Sequence, residues 1–239
     1  MAIQDRITIS HKKDDTYSYN YLNKSKHNSK PPTKFLTYIK NLINGKYSEQ
    51  PNARTSSLHF DCYKIESLKE LLKAKKNKLS YRHAFLLYIH IGYQIKYLLE
   101  NNIGILELNI EDISIVHTDE KRYNSYFIIN TAEYFYNTVT DKDKNKCLEI
   151  YTPYNKSNPF ISPELLLNDK IPFYPSPNTI FFSLALLIAF CLCPFEKSEH
   201  LHNTELFKKH IESIAETKLY WALLRCIKET PSDRHYLFI

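Results

Sequence analysis

A loop that wraps a phosphate needs several positions free of a side chain, so glycine is the first residue type to inspect for nucleotide chemistry. This chain has 3 glycines, Gly45, Gly92 and Gly104, too scattered to form such a loop. His200-x-His202 offers metal-ligating residue types. No third or fourth ligand lies at a sensible spacing, so the pair reads as part of a solvent-exposed loop and no metal is expected. The cysteines are Cys62, Cys147, Cys191, Cys193 and Cys226. Their number is odd, none are spaced as CxxC, and no secretory signal opens the chain, which suits a reduced, cytoplasmic compartment. Cys191 and Cys193 sit in an apolar run and read as inert packing residues. Tyr220 and Trp221 likewise read as core or interface packing, not as a platform for stacked bases.

Charge is unevenly placed. The formal net charge is +6, and residues 1–50 hold nine Lys/Arg against four Asp/Glu. The rest of the chain is close to neutral. A basic segment of this kind can touch nucleic acid, acidic lipid or an acidic protein, although a solvated lysine-rich tail is the plainer reading. Lys outnumbers Arg 26 to 6. That disfavours base readout, which relies on the bidentate fork of Arg. Nucleic acid is therefore a disfavoured partner. Ile180–Phe195 is a charge-free apolar run of 16 residues. A membrane span needs about 20, so a buried core helix is expected there.

The elements that must position any site follow from periodicity. Residues 1–32 are polar and aperiodic and are expected to form disorder or short strands. Thr33 can cap a helix to about Asn44, with Gly45 as its stop. Ser57–Cys62 alternates like a strand. Leu68, Leu71 and Leu72 mark a short helix, and Ser80 caps a long one with the stripe Ala84, Leu87, Tyr88, Ile91, Ile95, Leu98 and Leu99. Ile113–Val116 and Tyr126–Ile129 predict a hairpin. Residues 133–160 read as an irregular loop. Helices are expected over 180–193, around 204–216 and around Leu219–Lys228.

This order of elements resembles the eukaryotic protein kinase fold, with five motifs in the family's sequence over residues 58–239. LHFDCYKIESLKELLK (Leu58–Lys73) resembles the last N-lobe strand, the hinge and the helix after it. GILELNIEDISIV (Gly104–Val116) is similar in register to the catalytic-loop pattern G-I-x-H-R-D-L-K-P-x-N-I-L. ISPELL (Ile161–Leu166) resembles the Ala-Pro-Glu motif. FSLALLIAFCLCPF (Phe182–Phe195) resembles the central helix, and LLRCIKETPSDR (Leu223–Arg234) the closing motif. The resemblance implies an α+β, protein kinase-like fold. Residues 1–57 would form a basic segment and a reduced N-lobe, and residues 58–239 a hinge and a mostly helical C-lobe. The opening SLKELLKAKKNKLS is also similar to the non-catalytic kinase C-lobe modules of KIND type, which bind partner peptides.

The departures fall on the chemical positions. The family's His-Arg-Asp becomes Glu107-Leu108-Asn109, and an amide cannot take the proton of an attacking hydroxyl. The phosphate-facing Lys becomes Glu111, with the wrong sign of charge. The metal-binding Asn becomes Ser114, a weaker neutral ligand for Mg²⁺. The Asp-Phe-Gly motif is best matched by Asn130-Thr131-Ala132, so the main metal carboxylate is missing. The 33–44 helix contains no Glu to pair with a nucleotide-holding Lys, and the central helix begins at Ile180 where the family has Asp. Glu164 and Arg234, by contrast, match two positions that form a buried ion pair in the family. The resemblance therefore implies a pseudokinase with ATP and Mg²⁺ binding lost or weak. It would act as a protein-binding scaffold or as a regulator, with an active kinase among its possible partners. A divergent active kinase, and an anion or nucleic-acid binder working through the basic N-terminus, are the alternatives.

Overall fold

The computed structural model describes residues 6–11, 16–22, 38–39, 41–42, 46–49, 55–118, 125–131, 135–196 and 199–239. The strands in chain order are β1 (Arg6–His11), β2 (Thr16–Leu22), β3 (Lys46–Glu49), β4 (Thr55–Asp61) and β5 (Lys64–Ser67). They continue with β6 (Ile103–Ile105), β7 (Ile113–His117), β8 (Ser125–Ile129), β9 (Phe135–Thr140) and β10 (Lys146–Leu148). The helices are α1 (Leu68–Ala74), α2 (Tyr81–Glu100), α3 (Pro163–Leu167), α4 (Thr179–Leu192), α5 (Thr204–His210) and α6 (Lys218–Cys226). The fold is α+β. It divides into two compact units, residues 1–68 with 111–133, and residues 69–110 with 134–239.

The first unit is built from two antiparallel sheets. One has the strand order β1-β2-β4-β3, with Leu58 opposite Tyr19 on one side and Tyr47 on the other. The N-terminal stretch thus supplies two paired strands. Of the helix expected over 33–44, residues 38–39 and 41–42 are helical and Ile39 is buried, while Thr33 and Gly45 lie outside the described residues. The second sheet has the order β5-β7-β8 and includes the expected hairpin, with Ile115 opposite Phe127. Every residue of β7 is buried.

The second unit centres on two helices that pack together, α2 and α4. The Ser80 hydroxyl accepts from the His83 amide and so starts α2 where the cap was expected. Ala84, Leu87, Tyr88, Ile91, Ile95 and Leu98 are all fully buried along one stripe. α4 is buried all round, as a helix with no polar face must be. Among the described residues no helix is long and apolar enough to cross a membrane. The C-terminal segment is tied back onto α2. The Tyr88 hydroxyl donates to the Leu237 carbonyl at 2.9 Å and accepts from the Leu237 amide at 3.0 Å, and the Tyr236 and Tyr88 rings stack at 4.9 Å.

Two expectations need correction. The stretch 133–160 is not all loop: β9 and β10 form a hairpin there, and β9 also pairs with β6. The turn is closed by Asp141, whose Oδ1 accepts from the amides of Asp143 at 2.9 Å and Asn145 at 2.7 Å. The helix expected over 204–216 ends at His210, and a 3₁₀ turn at Glu212–Ile214 follows. Ile211 and Ile214 are both buried, which the tighter turn permits.

Candidate functional site

The kinase resemblance singles out five positions as degenerate: Glu107, Asn109, Glu111, Ser114 and Asn130. Two of them, Glu107 and Asn109, belong to the second unit. Glu107 is 2% exposed, and its Oε2 accepts from the Asn158 side-chain amide at 2.8 Å. The same Asn158 amide reaches the Leu108 carbonyl at 3.2 Å, and its Oδ1 accepts from the Phe160 amide at 2.9 Å. Asn158 thus straps the segment that holds Glu107 to the segment leading into α3. The Asn109 side-chain oxygen accepts from the next backbone amide, Ile110, at 2.7 Å. An amide oxygen turned back on its own backbone has neither the basicity nor the orientation to take up a proton.

The other three positions lie in the first unit. Asn130 Nδ2 donates to the Ser114 hydroxyl at 2.9 Å and to the Glu111 carbonyl at 3.0 Å. The Asn130 backbone amide donates to the Asp112 carbonyl at 2.9 Å. The structure therefore brings Ser114 and Asn130 together across the foot of the β7–β8 hairpin. Ser114 is buried, while the side chain of Glu111 is exposed and its backbone carbonyl does the bonding. A hydroxyl and a carboxamide bonded to each other are neutral. A divalent cation such as Mg²⁺ draws most of its binding energy from charged carboxylates. Ala132, the third residue that the resemblance matches to Asp-Phe-Gly, lies outside the described residues.

Glu164 and Arg234 form an ion pair. Arg234 Nη1 donates to Glu164 Oε1 at 2.5 Å and Nη2 donates to Oε2 at 3.0 Å, the parallel fork that suits guanidinium and carboxylate. Arg234 is fully buried and spends two further donors on the Lys228 carbonyl at 2.6 Å and the Glu229 carbonyl at 2.9 Å. Its guanidinium also lies over the Phe182 ring, 4.7 Å from the centroid. Burial pulls the Glu164 carboxyl upward. The Arg234 hydrogen bonds and charge more than reverse this and hold it below the ordinary carboxylate value. Thr179, the first residue of α4, donates its hydroxyl to Glu164 Oε1 at 2.8 Å.

Sequence reasoning did not find three groups. Asn158 is 51 residues from Glu107 and no local pattern links them. Thr179 stands one residue before the expected start of α4, and its role depends on where Glu164 lies. The third is a buried line in the β5-β7-β8 sheet: Glu66 Oε1 to His117 Nε2 at 2.7 Å, and His117 Nδ1 to Ser125 Oγ at 2.8 Å. Lys64 donates to the other Glu66 oxygen at 2.6 Å. Register explains the line, because His117 stands opposite both Lys64 and Ser125. It braces three strands with polar groups that are all partnered.

The five cysteines are free thiols, with Cys193 the exposed one. Burial pushes the thiol of Cys191 up, and does the same for Cys226, to about 12. Both are poor nucleophiles at neutral pH. Among the described residues no cluster of three or more His, Cys, Asp or Glu is arranged to hold a metal ion. The His200 side chain is not among the described groups. Tyr220 and Trp221 meet edge to face at 5.2 Å, and Trp221 is 55% exposed, so of the core or interface roles expected for it the core one does not hold. No protein-family model matches this sequence, and comparison with curated proteins finds no match.

Proposed function

We propose that this chain is a catalytically inactive protein kinase-like domain, with a reduced N-lobe and a mostly helical C-lobe. It works by binding other proteins, as a scaffold or as a regulator of an active kinase. The observation that carries this reading is the bond between Ser114 and Asn130. In the kinase register these are the two metal-ligating positions, and here each uses the other as its hydrogen-bond partner. Asn109, at the position of the catalytic base, is likewise engaged with its own backbone. The ion pair of Glu164 and Arg234 supports the same reading, because it keeps a structural position while the chemical positions have changed. ATP and Mg²⁺ binding is then lost or weak. Five free thiols suit a reducing, cytoplasmic location.

Thermal unfolding in the presence of ATP tests the nucleotide part of the proposal. A ligand that binds the folded state must raise the midpoint, by an amount equivalent to about 2.7 kcal/mol at a hundredfold excess over its Kd. The proposal expects no rise up to millimolar ATP, with or without Mg²⁺. A rise that requires Mg²⁺ would contradict it, and would favour a divergent active kinase instead.

A further inference from the structure

The second unit contains a concave site that none of the five degenerate positions lines. It is a pocket of about 790 Å³ between the end of α2, the β9–β10 hairpin, the start of α4 and the C-terminal segment. That volume falls in the range that holds a small organic molecule. Its apolar lining comes from Leu99, Phe181 and Tyr236. Phe181 and Tyr236 are 4% and 8% exposed, and Tyr236 is held by its stacking on Tyr88, so these walls are already in place without a ligand.

The polar lining is rich in donors. Lys96 and Lys146 both face the pocket, together with His235. The partner of the Lys146 ammonium is neutral, the Asn102 side-chain oxygen at 3.1 Å. Lys96 sits over the Phe238 ring at 4.0 Å and 3.9 Å from Glu100, a long and solvent-facing contact of little strength. The second carboxylate at the rim, Asp141, is folded back onto the amides of its own turn. Arg234 is engaged by Glu164. The start of α4 adds nothing to this site, because the Glu164 carboxylate already accepts from Thr179 there. An incoming anion would thus meet two lysines that hold only weak or neutral partners, beside an aromatic wall.

We propose that this pocket binds a small organic anion: a flat aromatic body that lies against Phe181 and Tyr236, with one acidic group placed between Lys96 and Lys146. The test uses 8-anilino-1-naphthalenesulfonate, which has this chemistry, with the uncharged N-phenyl-1-naphthylamine as its control, both titrated by fluorescence against the folded full chain. A single saturable site is expected for the sulfonate. The double variant Lys96→Glu/Lys146→Glu should weaken the sulfonate by about tenfold or more and leave the neutral dye within about threefold. Lys208→Glu, on α5 away from the pocket, should change neither. If the double variant does not fold by circular dichroism, Lys146→Gln alone carries the same expectation at about threefold. Absence of saturable sulfonate binding, equal binding by the lysine variants, or an equal loss in Lys208→Glu would overturn the proposal.

Discussion

Arg234 is fully buried and makes four hydrogen bonds, two of them to Glu164. Its removal strands a carboxylate, and breaking a buried pair costs far more than a surface pair is worth. Arg234→Met should lower stability by about 3–5 kcal/mol in urea unfolding, with the slope unchanged. The pair also sets an acid limit. Glu164 is depressed in the fold, so its contribution is complete above the ordinary carboxyl value of 4.5 and is lost as pH falls through that value to the lower folded one. His90 acts at a higher pH. Burial pushes its imidazole from 6.5 down to about 4, so the fold holds the neutral ring while the unfolded chain protonates. Stability is therefore full above about pH 6.5 and declines towards pH 4, by up to about 3 kcal/mol. In His90→Gln that part of the pH profile should be flat when stability is followed by urea midpoint, and an unchanged slope would refute the assignment.

At the scale of elements, the tightest joint lies between α2 and the C-terminal segment. A Cβ at Gly92 would overlap the Tyr236 ring. Gly92→Ala gains about 1 kcal/mol of helix propensity, but overpacking a filled site costs about 1–3 kcal/mol. The ring cannot simply rotate away, because Tyr88, Tyr93 and Phe238 surround it. A net loss of up to about 2 kcal/mol is expected, with faster proteolysis after the last turn of α6. Increased stability in this variant would show that the joint is loose. Helix α2 was readable because its signals are local: Ser80 caps it and the apolar stripe follows within the same 20 residues. The strands β9 and β10 were not. Tyr136, Thr138 and Val139 have strand-forming side chains, yet β9 is short and half exposed, and one of its partners, β6, lies about thirty residues earlier. Pairing of that kind is written in no single window of sequence.

For the whole molecule, the α+β class and the pairing of Glu164 with Arg234, 70 residues apart, could be anticipated by laying five motifs in order. Asn158 could not, since it is an unremarkable loop amide until the fold sets it beside Glu107. The same holds for the line from Glu66 to Ser125, which depends on strand register. We propose that this chain does not transfer phosphate. The direct measurement incubates the purified chain with γ-labelled ATP, Mg²⁺ or Mn²⁺, and generic protein substrates, alongside Asn109→Ala and Asn130→Ala. All three are expected to incorporate no more label than a protein-free blank. Sustained transfer by the native chain, lost in either variant, would contradict it.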